Sequence, residues 1–247
     1  MPAIPPSLPR QLALHLAPAR SDAREDLIAD PSNAEALAWL ARPAAWPLGR
    51  LALHGPEGVG KTHMLRACAP GWRHLEGAAL SEALALAPAT ATALDNAEAA
   101  PEAALFHLIN TAAEAGAPLL LAARQPPARW ATRLPDLASR LRATLAVAVG
   151  HPTEALLAAQ LAKHLADRQL RVEAPVQAFL LARLPRSAAA LAAAVARLDA
   201  AALAEGAAIT RPFAARVLGP WLGPLGEADD ASATPAFDAS PPPPRPG

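Results

Sequence analysis

Residues 51–62, LALHGPEGVGKT, limit what this chain can fold into more than any other stretch. A short apolar run, the pattern G-x-x-x-x-G-K-[ST] and a helix-compatible continuation (HMLRACA) give the order strand, phosphate-binding loop, helix. Each residue type has a task. Gly55, Gly58 and Gly60 let backbone N–H groups converge on phosphate oxygens. Lys61 carries a point charge to the β- and γ-phosphates, and Thr62 offers its hydroxyl to Mg²⁺. The helix that follows adds its N-terminal dipole. The loop predicts a bound nucleotide, ADP or ATP, with Mg²⁺, and Glu57, Val59 and His63 lie within its contact range.

Such a loop also needs an acid at the end of a neighbouring strand. TALDN at 92–96 ends in Asp95, the candidate to hold Mg²⁺ together with Thr62. Many nucleotide hydrolases follow this aspartate with a second acid that activates water. Here Asn96 follows, and an amide is not a base; Glu98 lies past the strand end. The expectation is a nucleotide that is held more than turned over. With Lys61, Thr62 and Asp95 intact, a stand-alone P-loop ATPase or a helicase-loader or initiator-like protein remains the alternative.

Apolar runs at 51–54, 74–77, 91–95, 117–124 and 143–150 read as strands, with helical stretches between them. PEAALFHLINTAAEAG at 101–116 is a helix begun by proline and stopped by glycine. Strands alternating with helices predict an α/β fold with a parallel sheet. Past residue 150, four helical patterns follow one another (153–170, 174–184, 186–206 and 210–218) with no strand between them. The chain thus divides into an N-terminal arm (1–25), an α/β nucleotide-binding domain (26–150), a small all-helical lid (151–222) and a proline-rich tail (223–247). Ahead of the first strand, Ser32 or Asn33 is placed to cap a helix.

Lys and Arg total 22 and balance 22 Asp and Glu, which argues against a protein that grips nucleic acid through its own surface. The single cysteine, Cys68, excludes an internal disulfide and fits a reducing compartment. No window reaches the ~18 consecutive apolar residues of a membrane span, and the N-terminus has no signal-like apolar core. A cytoplasmic protein with no membrane contact is the expectation.

The succession of phosphate loop, LDN (94–96), LLLAARQPP (119–127), LPDLASRL (134–141) and all-helical end resembles the AAA+ module of the replication initiator DnaA. It resembles more closely the Hda (HdaA) family, regulatory inactivators of DnaA that lack its DNA-binding domain. LDN is the Hda form of the strand-end motif, and the similarity runs over roughly residues 10–218. The resemblance implies an AAA+ P-loop fold and puts Ile28, Ser32 and Asn33 against the adenine base. It makes Arg140 an arginine finger acting in trans on a partner's ATP; by spacing alone, Arg140 reads first as a surface salt-bridge residue. It makes QLALHL at 11–16 a motif for the sliding clamp (the beta subunit of DNA polymerase III), with Gln11, Leu12, Leu14 and Leu16 as contacts. An extended strand would put the three leucines on one face, and an edge strand is the plainer alternative.

Two positions depart from the family. Ala122 stands where a polar residue often senses the γ-phosphate, and Ala189 where DnaA has a nucleotide-sensing arginine. Arg186, one helical turn before Ala189, is the candidate substitute. The implied function is a regulatory adaptor that holds nucleotide, in the first place ADP, docks on the clamp and stimulates ATP hydrolysis by DnaA. DnaA and the clamp are its implied partners, with a homodimer as a further arrangement and DNA contacted only through the clamp.

Overall fold

The computed structural model describes residues 27–87 and 90–223. Gln11, Leu12, Leu14, Leu16 and the tail from residue 224 lie outside the described residues. Five strands, β1 (Arg50–His54), β2 (Arg73–Glu76), β3 (Thr92–Asp95), β4 (Leu119–Ala123) and β5 (Leu145–Ala148), form one sheet in the order β2-β3-β4-β1-β5. Every pairing is parallel, as the alternation of strands and helices requires.

Both faces of this sheet are covered. Leu51, Leu53, Leu120 and Ala122 point to one side, where α1 (Ala34–Leu40) and α2 (Lys61–Cys68) pack. Ala52, Leu94, Leu119 and Leu121 point to the other, against α3 (Glu82–Ala85), α4 (Glu102–Glu114) and α5 (Pro135–Arg142). Burial on both faces explains why β1 and β4 read as continuous apolar runs rather than as an alternation.

Two strands are shorter than the apolar runs that mark them: β4 begins at Leu119 and ends at Ala123, and β5 covers only Leu145–Ala148. The helix α5 was not expected as an element. Its proline sits in the first turn, where the missing N–H is not needed, and Leu137 and Leu141 form an i, i+4 pair that packs on α4.

Four helices follow the sheet: α6 (Glu154–Asp167), α7 (Ala174–Arg183), α8 (Ala188–Glu205) and α9 (Arg211–Leu218). Hydroxyls of Thr153, Ser187 and Thr210 accept backbone N–H groups at the starts of α6, α8 and α9, satisfying donors that the first turn leaves free. The helices enclose a core of their own, with Leu161, Leu180, Val195 and Leu198 at its centre. No helix among the described residues is long and apolar enough to cross a membrane.

Candidate functional site: a phosphate loop beneath a helical lid

Because β3, β4 and β1 are neighbours, their C-terminal ends bring Asp95, Arg124 and the loop from Gly55 together at one edge of the sheet. The loop is anchored on both sides. The Gly55 N–H donates to the Ala123 carbonyl at 3.3 Å, and the Val149 N–H donates to the His54 carbonyl at 2.7 Å. A Cβ on Gly55 would lie 2.1 Å from the Val149 carbonyl oxygen, so only glycine fits there. Gly58, at φ +79°, faces the lid: a Cβ on it would meet the Ser187 Cβ at 2.9 Å.

Lys61 donates from Nζ to the Gly55 and Pro56 carbonyls, both at 2.7 Å. Burial lowers the pKa of its ammonium, against the opposing pull of Asp95 and Glu98. Burial also lowers the pKa of His54 at the end of β1, helped by the charges of Arg129 and Lys61. The Thr62 hydroxyl donates to Asp95 Oδ2 at 2.6 Å, so the two residues assigned to Mg²⁺ stand together. Two hard oxygen donors suit a Mg²⁺ that keeps waters and phosphate oxygens as its other ligands. Among the described residues no group of three or more His, Cys, Asp or Glu could hold a metal by itself.

Asn96 occupies the left-handed region (φ 47°) and donates from Nδ2 to Glu76 Oε1 at 2.7 Å. Glu98 accepts the Arg124 N–H at 2.8 Å, so its carboxylate is engaged at the end of β4.

A cleft between loop and lid is lined by Ile28, Asn33, Val59 and His63 on one side and Leu156 and Gln160 on the other. Its walls are part apolar and part polar, and the buried Gln160 Oε1 has no hydrogen-bond partner. An orphaned acceptor in a cleft beside a phosphate loop suits the exocyclic amino group of a base. Asn33 shapes the slot rather than capping α1 through its side chain, as the sequence reading proposed. Its Oδ1 accepts the Asp30 N–H at 2.9 Å and its Nδ2 donates to the Ile28 carbonyl at 3.0 Å. Ser32 is also not a helix cap: its hydroxyl and its N–H both donate to Asp30 Oδ1. The Ser32 carbonyl accepts the Gly150 N–H at 2.9 Å.

Asp30 Oδ2 also accepts the hydroxyl of Thr153, which begins the first lid helix. One carboxylate therefore ties the segment along the cleft to the lid. Hydrogen bonds from Ser32 and Thr153 hold its pKa below the usual carboxylate range. A lowered carboxylate pKa contributes stability that is complete above the unfolded value and is lost as pH falls through the folded one. Below about pH 4 the wild-type melting temperature should therefore fall more steeply than that of Asp30→Asn, whose amide does not titrate. Thermal unfolding followed across that range checks this; parallel curves would remove the tether from the acid response.

Arg186 is half-exposed beside Ser187, with Nη1 3.5 Å from Glu154 Oε1. It sits next to the residue that meets Gly58, on the lid's loop-facing side. Ala122 is wholly buried in the core and faces no loop. The side chain that reaches the loop from β4 is Arg124, two residues on, whose Nη2 donates to Glu57 Oε2 at 2.7 Å.

Arg140 lies elsewhere. It occupies the last turn of α5, which leads into the N-terminal end of β5, opposite the loop. Its guanidinium stacks 5.2 Å from the Phe106 ring centroid, and its buried Nε has no partner. Its carbonyl accepts from Arg50 at 3.3 Å and from the Thr144 hydroxyl at 2.9 Å. Arg50 begins β1, and β1 spans about 13 Å before the loop starts. Arg140 does not reach the phosphate loop of its own chain.

A parallel sheet in this order, a phosphate loop after β1, a paired Thr62 and Asp95, and four helices above them make up an AAA+ fold. Solved structures agree on the fold. Domain III of Thermotoga maritima DnaA superposes with a TM-score of 0.70 at 17% identity, over 83% of this chain and 99% of that one. AMPPCP-bound DnaA from Aquifex aeolicus gives a TM-score of 0.59 at 16% identity, over 72% of this chain and 65% of that one. A Thermotoga maritima RuvB variant gives 0.62 at 16% identity, over 81% and 72%. Comparison with the sequences of curated proteins gives no match. Residues 154–218 match the family model described as Hda, lid domain. The helical end is thus similar to the Hda lid domain, and the chain as a whole shares its fold with domain III of DnaA.

Proposed function

We propose that this chain is a regulatory adaptor that holds an adenine nucleotide and supplies Arg140 to ATP bound on DnaA. The observation that carries the proposal is the position of Arg140: a cation at the far end of the sheet from its own phosphate loop serves phosphate only on another molecule. A guanidinium fork there would stabilise charge developing on the γ-phosphate. The match to the Hda lid and the likeness to DnaA support DnaA as the partner. The solved DnaA structures bound to AMPPCP support nucleotide in this fold.

On this chain, Gly55, Glu57, Gly58, Val59, Gly60 and Lys61 would cradle the phosphates, Thr62 and Asp95 would hold Mg²⁺, and Ile28, Asn33, His63 and Gln160 would border the base. Ser32 would brace that border through Asp30, and Arg186 would approach the phosphates from the lid. Mg²⁺, when bound, would neutralise phosphate charge. Asn96 offers no base to activate water, so the nucleotide organises the protein rather than being consumed. A stand-alone ATPase is the second reading, favoured by the intact Lys61, Thr62 and Asp95.

Gln11, Leu12, Leu14 and Leu16 would dock on the sliding clamp, bringing the chain to DNA through the clamp alone. Extended peptides commonly dock this way, with alternate side chains filling apolar pockets. With purified DnaA, ATP and clamp-loaded DNA, adding the chain should raise hydrolysis by DnaA, and Leu14→Ala should remove most of the rise. If the purified chain alone hydrolyses ATP at ~1 s⁻¹ or faster and DnaA is unaffected by it, the ATPase reading replaces this one.

A further inference from the structure

Arg50 opens β1, the strand with a partner on each side, and is only 5% exposed. A guanidinium so buried is ordinarily matched by a carboxylate. Among the described residues, neither Arg50 nor Arg140 pairs with one. What Arg50 holds instead is the end of α5. Its Nε donates to the Thr144 hydroxyl oxygen at 3.0 Å, and its Nη2 donates to the Arg140 carbonyl at 3.3 Å. The Thr144 hydroxyl donates to that same carbonyl at 2.9 Å. A carbonyl in the last turn of a helix has no partner within the helix, and here two outside side chains fix it, tying the backbone of Arg140 to the middle of the sheet. The start of α5 is fixed as well: Glu102 Oε2 accepts the Thr132 hydroxyl at 2.9 Å and the Arg133 N–H at 3.0 Å.

The charges act together with the bonds. Burial lowers the pKa of Arg50, and the charge of Arg140 lowers it further, so the two cations stand close enough to repel. An anion that reaches Arg140 relieves this repulsion and is drawn by both charges. We propose that Arg50 is a positioning residue for Arg140: it pins the end of α5 through Thr144 and the Arg140 carbonyl, and its unmatched charge favours transfer of the Arg140 guanidinium to phosphate on the partner. The proposal rests on the trans-arginine reading above and deepens it; Arg50 itself stays buried and touches no phosphate. A buried cation without a counter-ion costs stability. That gives the role its signature: removing the charge harms the stimulation and not the fold.

The test follows ATP hydrolysis by purified DnaA on clamp-loaded DNA against the concentration of added full chain, with the melting temperature of each variant measured beside it. Arg50→Met, which keeps much of the side chain's length without its charge, should lower the maximal stimulation about tenfold or more. It should leave the half-maximal concentration within about twofold and melt at or above wild type. Thr144→Val, which keeps both arginines and removes the hydroxyl between them, should lower the maximum about three- to tenfold. Arg50→Lys should retain only part of the stimulation, since it keeps the charge and not the fork. A maximum equal to wild type in both Arg50→Met and Thr144→Val, or one lost only together with the melting temperature, would overturn the proposal while Arg140→Ala still abolishes the rise. If Arg140→Ala stimulates DnaA as wild type does, the trans-arginine reading fails, and this proposal fails with it.

Discussion

Gly55→Ala should lower the melting temperature of this protein by about 10 °C, a large effect for one added methyl group. The new Cβ would sit 2.1 Å from the Val149 carbonyl oxygen and 3.2 Å from its carbon. Both are backbone atoms, so no side chain can rotate away. Relief requires parting the ends of β1 and β5, where the Val149 N–H meets the His54 carbonyl, or the ends of β1 and β4, where Gly55 meets Ala123. Both junctions lie at β1, which has a partner strand on each side. The cost is about 3 kcal/mol or more. Gly219→Ala is the control: its Cβ meets nothing within 4 Å, and it should melt with wild type. A Gly55→Ala protein that melts with wild type would contradict the packing described for the loop's root.

Lys61→Ala should weaken nucleotide binding on the order of 100-fold, the upper end for a charge-assisted contact. Two losses combine. The ammonium no longer meets phosphate, and the loop loses the two bonds that Nζ makes to the Gly55 and Pro56 carbonyls. The ammonium is already partly desolvated, as its lowered pKa indicates, so less hydration is forfeited when phosphate arrives. Fluorescent-nucleotide titration measures this directly. Because Lys61 is not a core residue of the fold, the melting temperature without nucleotide should change little. Retained affinity would mean that the loop is not the nucleotide site.

The parts of this arrangement legible in the sequence are those carried by local pattern. Residues 51–62 announce a strand, loop and helix because glycine spacing and an apolar run are short-range signals. The pairing of Thr62 with Asp95 followed from the strand-end position of Asp95. The lid helices were visible because no strand interrupts their periodicity. What escaped depends on tertiary contact. Asp30 and Thr153 lie 123 residues apart, and nothing near either one marks the other. Gln160 looks like any polar residue on a helix until the cleft closes around it. Ala122 is buried on the α1 and α2 face of the sheet, and Arg124 is the side chain that reaches the loop from beyond β4. The helix α5 hid within a motif noticed for its arginine and not for its Leu137–Leu141 spacing.

The central claim is that Arg140 acts on phosphate held by a different protein. The most direct measurement is ATP hydrolysis by purified DnaA on clamp-loaded DNA, with wild type or Arg140→Ala added at equal concentration. Arg140→Ala should lower hydrolysis to the rate of DnaA alone, since a trans arginine accounts for about 10³–10⁵ in such rates. Arg140→Lys should fare no better, lacking the planar fork. Both variants should bind nucleotide as wild type does, because Arg140 stands at the far end of the sheet from the loop. If Arg140→Ala stimulates DnaA as fully as wild type, the claim is wrong, and the stacking of Arg140 on Phe106 is its whole role.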